Sequence, residues 1–248
     1  MDVTQEFKGS IKEIHWTIFY YNTKYTDSVS SISEFLVTYD EHYNTLKQID
    51  YYQKKAPLEE IYDYNSKGLL ANIIVHYPKY VSKTEYKYDQ KNNLIENNHY
   101  KNDTLQTSKV TTYDKKNNWI EQKFINLYSP KNCWTEKYTN DYKNKTVIGQ
   151  GFDANNKPSK TYTITTYDTS GRILKCETVA KDKRTLYYTN KYDNRGNLTK
   201  AMFYDNKETV QSIRTIKNTY DQYGNFIIRE HFNKNKLTQK TVLDIVYN

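Results

Sequence analysis

The chain is predicted to be all-β: tandem β-hairpins with a period of about 25 residues, forming one elongated antiparallel sheet that twists or spirals on itself. Three observations carry this. A unit reading Tyr-Asp, two polar residues, Gly or Asn, Asn and two mostly apolar residues recurs along the sequence. Its leading tyrosines fall at an even beat. The residues before each turn are Tyr- and Thr-rich strand formers, as in Tyr162-Thr163-Ile164-Thr165-Thr166-Tyr167.

The unit has a local physical cause. Tyr192-Asp193-Asn194-Arg195-Gly196-Asn197-Leu198-Thr199 is a clear copy, and others start at Tyr88, Tyr113, Tyr167 and Tyr220. Asp-x-x-Gly suits a type I turn followed by a left-handed residue. The Asp carboxylate accepts from backbone amides just ahead of it. The fourth position needs positive φ, which Gly adopts freely and Asn more readily than most. Gly171, Gly196 and Gly224 fill it in some copies, Asn92 and Asn117 in others.

The anchors are Tyr39, Tyr64, Tyr88, Tyr113, Tyr142, Tyr167, Tyr192 and Tyr220, at steps of 24 to 29 residues. The Tyr39, Tyr64 and Tyr142 copies are degenerate. The sixth residue past the anchor is apolar in most copies and the seventh often is (Ile95, Ile120, Leu174, Ile227). Neighbours in a strand point to opposite faces, so neither face is wholly wet and a curling sheet is expected.

The chain divides into N-terminal capping strands over 1–33, hairpin repeats over 34–236 and a closing strand over 237–248. Ile14–Tyr21 is a strand candidate. The first hairpin runs from Glu34 to Tyr52, and a polar segment with Pro57 leads to the second. A helix is not excluded around Leu58–Ile61. The insertion before Tyr142 marks an irregular midpoint, a bend or a weak boundary.

Composition narrows the function classes. The 248 residues carry a formal charge of +8, and only 36% are apolar, but 27 Tyr, 8 Phe and 3 Trp argue against disorder. The charge reads first as a solvated surface with Lys guarding strand edges and second as a polyanion site, where aromatic and basic residues stack bases and grip phosphates. No RNA-binding signature occurs, so nucleic acid is disfavoured. Cys133 and Cys176 are too far apart for a CxxC motif; either both are free or they form one bridge. No apolar run approaches a membrane span. Met1–Phe7 lacks a signal-peptide core, so the protein is either cytoplasmic or begins after a removed export signal.

Catalytic motifs are lacking. The five histidines show no metal-binding spacing, and His99 and His231 each lie eleven residues past an anchor, as repeat positions do. Each Tyr-Asp carboxylate has a turn role that accounts for it. No cofactor is implied, and no metal. Trp16, Trp119 and Trp134 are candidate aromatic contacts for a ligand, weighed against a place in the core.

The unit resembles the YD repeat, also called the RHS repeat, over about Glu34 to Phe232. That resemblance implies β-hairpins in long curved or spiralling sheets, found in bacterial surface and secreted proteins. It implies a non-enzymatic shell, scaffold or carbohydrate-binding stalk. A stand-alone protein of this kind is expected to be exported, as a surface or periplasmic lipoprotein, and to bind a glycan or a protein partner. The alternative is a basic module that binds nucleic acid or acidic polysaccharide.

Overall fold

The computed structural model describes residues 7–22, 28–51 and 57–248. Parts of the N-terminal cap, and Tyr52 at the end of the first hairpin, lie outside them. Eighteen strands follow one another: β1 (Ile11–Tyr21), β2 (Val29–Tyr39), β3 (Thr45–Asp50), β4 (Leu58–Tyr64), β5 (Leu70–Tyr77), β6 (Tyr80–Tyr88), β7 (Leu94–Lys101), β8 (Thr104–Tyr113), β9 (Trp119–Asn126), β10 (Trp134–Asp141), β11 (Thr146–Phe152), β12 (Pro158–Tyr167), β13 (Ile173–Ala180), β14 (Lys183–Tyr192), β15 (Leu198–Tyr204), β16 (Val210–Tyr220), β17 (Phe226–Asn233) and β18 (Lys236–Tyr247). Among the described residues the one helical element is a short 3-10 turn, Pro130–Asn132. Leu58–Ile61 lies in β4, not in a helix, because its backbone pairs with both β3 and β5.

Each strand pairs antiparallel with the next, and β1 pairs with both β2 and β18. The sheet is therefore a closed ring, a more specific form than the expected elongated sheet that twists or spirals on itself. Closure leaves no edge strand to pair with another molecule. The first and last strands meet along nine register pairs, from Ile11↔Tyr247 to Tyr20↔Gln239.

The Tyr-Asp turns all lie at one rim. In the unit led by Tyr88, the Asp89 carbonyl accepts from the Asn92 amide at 3.1 Å. The Asp89 carboxylate takes the Lys91 and Asn93 amides, both at 2.8 Å. The turn's last residue has positive φ in every copy: Gly68, Asn92, Asn117, Gly171, Gly196 and Gly224, but also Tyr43 and Lys145. A register shift falls at the anchor in the seven copies led by Tyr39, Tyr64, Tyr88, Tyr113, Tyr167, Tyr192 and Tyr220. That is a type I turn with a bulge.

The Tyr142 copy is shifted. Asp141 caps the turn by accepting from the Asn144 amide at 3.1 Å, so Asp141 and not residue 143 takes the Asp role. Tyr142 sits inside the turn. The opposite rim uses two-residue turns with both residues at positive φ, Asn102-Asp103, Lys181-Asp182 and Lys234-Asn235. It also has two five-residue turns opened by Asp153 and Asp205, with the same Asp capping.

The anchor tyrosines stitch one hairpin to the one before it. Tyr64 donates to the Thr45 carbonyl, Tyr88 to Leu70, Tyr113 to Leu94 and Tyr192 to Ile173, at 2.8 to 2.9 Å. In each case the acceptor is the first strand residue after the preceding turn. This explains the even beat, since the hydroxyl reaches its target only if neighbouring hairpins are of similar length.

Register separates two faces. On one lie the buried residues Ile14, Ile18, Val37, Val75, Ser82 and Gln122, with Cys176, Ala201, Ile216 and Leu243. This is the concave, inner face. The other carries ion pairs, across strands in Lys47–Glu59 and Lys87–Glu96 at 2.9 Å, and along one strand in Lys83–Glu85 at 2.7 Å, Lys123–Glu121 at 3.0 Å and Lys175–Glu177 at 3.1 Å.

The ring is hollow. Its accessible surface is 16289 Å², against about 11,600 Å² for a compact chain of this mass. A closed sheet of about sixteen or more strands is wide enough to hold water inside. Among the described residues one compact apolar cluster, Ile11, Ile14, Phe226 and Leu243, sits on the inner wall where β1 and β18 meet.

Candidate functional site

The ring has two ladders of only four pairs, between β3 and β4 and between β9 and β10. The second runs from Trp134↔Phe124 to Lys137↔Glu121. Beyond it, toward the rim of the Tyr-Asp turns, β10 continues through Tyr138–Asp141 paired with β11 but not with β9. The Asn140 side chain spans the split, donating to the Trp119 carbonyl at 3.1 Å.

A cleft of about 560 Å³ opens there on the inner wall. Trp119 forms one side, half exposed, with its ring centroid 6.3 Å from that of Tyr138. Tyr138 donates to Glu136 Oε2 at 2.8 Å. Burial, and then this carboxylate, push the Tyr138 phenol well above its ordinary value, so it stays protonated as a donor. Thr163, Thr165 and Asn140 add neutral polar groups.

Glycine makes the floor. Of the seven glycines, five stand at positive φ in turns or the N-terminal segment. The other two, Gly149 and Gly151, lie inside β11 and face inward opposite Tyr138 and Glu136. A strand-interior glycine weakens a sheet and marks close approach by a ligand or another backbone. A Cβ on Gly149 would lie 3.0 Å from Thr163 Oγ1 and 3.1 Å from Glu136 Oε1. Its absence keeps the floor open beneath the Glu136 carboxylate.

The three expected tryptophans separate. Trp119 is in the cleft. Trp134 lies along the seam between β9 and β10 toward the far rim, stacked on Phe124 with centroids 5.7 Å apart and rings 20° from parallel. Trp16 packs edge-on against Phe7 and Phe226 beside the apolar cluster. It is partly buried against that cluster, the place in the core weighed against a ligand contact. Sequence reading missed Glu136, Tyr138 and Gly149. The available signal was that Gly149 and Gly151, alone among the glycines of the repeats, fall outside any turn position.

Other chemistry is sparse. Cys133 and Cys176 are free thiols. Among the described residues no three His, Cys, Asp or Glu side chains converge as metal ligands do. His231 faces inward; burial, and then Arg229 and Arg214 beside it, lower it to about 4, so it is neutral near pH 7. Asp141, the second carboxylate near the cleft, is held below its ordinary value by the Asn144 side chain and amide and serves the turn.

The outer wall decides what surrounds the ring. A membrane-spanning barrel presents an apolar band about 25 Å tall, and each Lys or Arg at its middle costs about 2–4 kcal/mol. Here Lys83, Glu85 and Lys87 on β6, Glu96 on β7, and Glu121 and Lys123 on β9 all point outward. No helix among the described residues is long and apolar enough to cross a membrane.

No family model matches the chain, and no curated protein matches it. Among solved structures it is similar to a porin-like protein from Bacteroides uniformis, at 8% identity and a TM-score of 0.49, covering 95% of this chain and 98% of that one. It is also similar to a porin-like protein from Bacteroides vulgatus, at 14% identity and a TM-score of 0.45, covering 97% and 99%. Likeness at this level carries no conclusion about what the chain does or where it resides.

Proposed function

We propose that this chain is a hollow binding barrel that stands in water and takes a hydroxyl-rich ligand, a glycan, in the cleft beside Trp119. It is a non-enzymatic scaffold, and its place is outside the cytoplasm, at or near the cell surface. The observation that carries the ligand class is the cleft's make-up. An aromatic face half open to water stands over a floor kept empty by Gly149, ringed by acceptor and donor groups of Glu136, Tyr138, Asn140 and Thr163. Sugars present one apolar face and a rim of hydroxyls, which matches an aromatic ring with polar neighbours.

The outer wall supports an aqueous setting. It carries charges paired with opposite ones, along a strand in Lys83–Glu85 and across strands in Lys87–Glu96. That pairing also weakens the polyanion reading, because lysines held by neighbouring carboxylates add little net field on that wall.

Titrating the protein with neutral oligosaccharides while following tryptophan emission tests the proposal. Binding that quenches emission, is lost in Trp119→Ala and Gly149→Val, and is indifferent to salt supports it. Binding only to polyanions, with a steep fall as salt rises, would replace it. Spontaneous insertion into lipid vesicles would remove the aqueous setting.

A further inference from the structure

The two remaining tryptophans are placed on one line. Residues two apart in a strand share a face, so Trp134, Glu136 and Tyr138 all point inward from β10. Phe124 and Gln122 face inward opposite them, through the pairs Trp134↔Phe124 and Glu136↔Gln122. Trp119 follows at the rim end, tied to β10 by the Asn140 bridge and set against Tyr138. The seam thus runs from a Trp134–Phe124 stack, past Glu136 and Gln122, to the Trp119–Tyr138 pair. Its length is roughly 17 Å, five residues of strand rise. Trp134, like Trp119, keeps a substantial part of its surface open, at 37%. The ladder between β9 and β10 is short, and aromatic rings stand at both of its ends.

We infer that the β9–β10 seam is a track for a linear glycan chain, with Trp119 and Trp134 as stacking platforms for separate sugar units and Glu136 hydrogen-bonding the units between. This rests on the proposed glycan site and extends it from one cleft to a chain-length-selective groove. A ligand of one or two sugar units reaches only the Trp119 end. A longer one engages both platforms, and each added contact raises affinity until the seam is filled.

The test uses the full chain and length ladders, disaccharide to hexasaccharide, of neutral glucan, mannan, xylan and chitin oligomers, read by calorimetry. For the series that binds, affinity rises roughly tenfold or more from the shortest to the longest member and then levels off. Trp134→Ala abolishes that gain while leaving disaccharide binding as in wild type. Trp119→Ala weakens every member. Thermal melts confirm that both variants fold. If affinity is independent of length, or Trp134→Ala leaves the length gain intact, the track is wrong while the Trp119 cleft stands. If no member of any series binds, both fall.

Discussion

Tyr247, the last residue of β18, donates its phenolic hydrogen to the Asp221 carboxylate and accepts from the Asn225 side chain at 2.9 Å. It therefore plays the part of a ninth anchor, 27 residues past Tyr220 and tied to the preceding turn. Tyr220 does the same toward Asp193 at 3.1 Å and Asn197 at 2.8 Å. The final strand is thus locked to β17's turn by the device that joins the interior hairpins, while its other edge pairs with β1.

Removing that hydroxyl loosens the ring where it closes. Tyr247→Phe is expected to lower unfolding free energy by about 1.5–3 kcal/mol, because the lost bond is to an ionised group. Tyr88→Phe loses a bond to a carbonyl and is expected to cost about 0.5–1.5 kcal/mol. Urea denaturation of the two variants checks the order, and hydrogen exchange places the loss at β1, β17 and β18 in the first. Equal effects would show that the seam is not specially held.

Two turns carry a strained residue where their sisters have Gly or Asn. Tyr43 has φ 63 and is half exposed, and Lys145 has φ 52. Tyr43→Gly and Lys145→Gly are each expected to stabilise by roughly 0.5–1 kcal/mol, since the left-handed conformation costs a side-chain-bearing residue about 1–2 kcal/mol and Gly's extra chain entropy takes back part of that. Gly196→Ala is expected to destabilise by about 1 kcal/mol for the converse reason. Melting temperatures read all three.

Acid should act in two steps. His231 is lowered from 6.5 to about 4, so the unfolded chain binds a proton before the folded one does, and stability falls as pH drops through that window. Arg229 and Arg214 share its inner-face neighbourhood, and Gln239 faces it from β18. Asp114 is lowered from 3.8 to about 2, chiefly by the Tyr142 hydroxyl and then by the Asn118 amide. Its contribution is complete above pH 3.8 and is lost as pH falls toward 2. His231→Gln should remove the upper step and Asp114→Asn shrink the lower one, with Tm against pH as the measurement.

The turn units were legible because their causes are local. Asp and Gly act within five residues, so Tyr192–Thr199 announces its hairpin unaided. Closure was not legible, because it depends on pairs such as Ile14↔Ile245, far apart in sequence and marked by no motif. The Asn102-Asp103 and Lys234-Asn235 turns were not legible, because two polar residues at positive φ carry no repeated signature like Asp-x-x-Gly. The cleft was half legible. Trp119 stood out by type, but Glu136 and Tyr138 matter only because β10 splays from β9. Trp16 went to the core because the closing strand brings Leu243 against it.

The account stands on the ring being closed, and a disulfide trap between its first and last strands tests that most directly. Thr17 and Val242 are register partners on the outer face; paired antiparallel residues stand about 4.5–5.5 Å apart, within disulfide reach. Thr17→Cys with Val242→Cys, in a Cys133→Ala, Cys176→Ala background, should oxidise to an intramolecular bridge in nearly every dilute molecule, identified by peptide mapping. In a sheet open between β18 and β1 the two strands would stand roughly 80 Å apart, seventeen strand spacings. Only intermolecular bridges, or none, would then form, and that result would contradict the closed barrel.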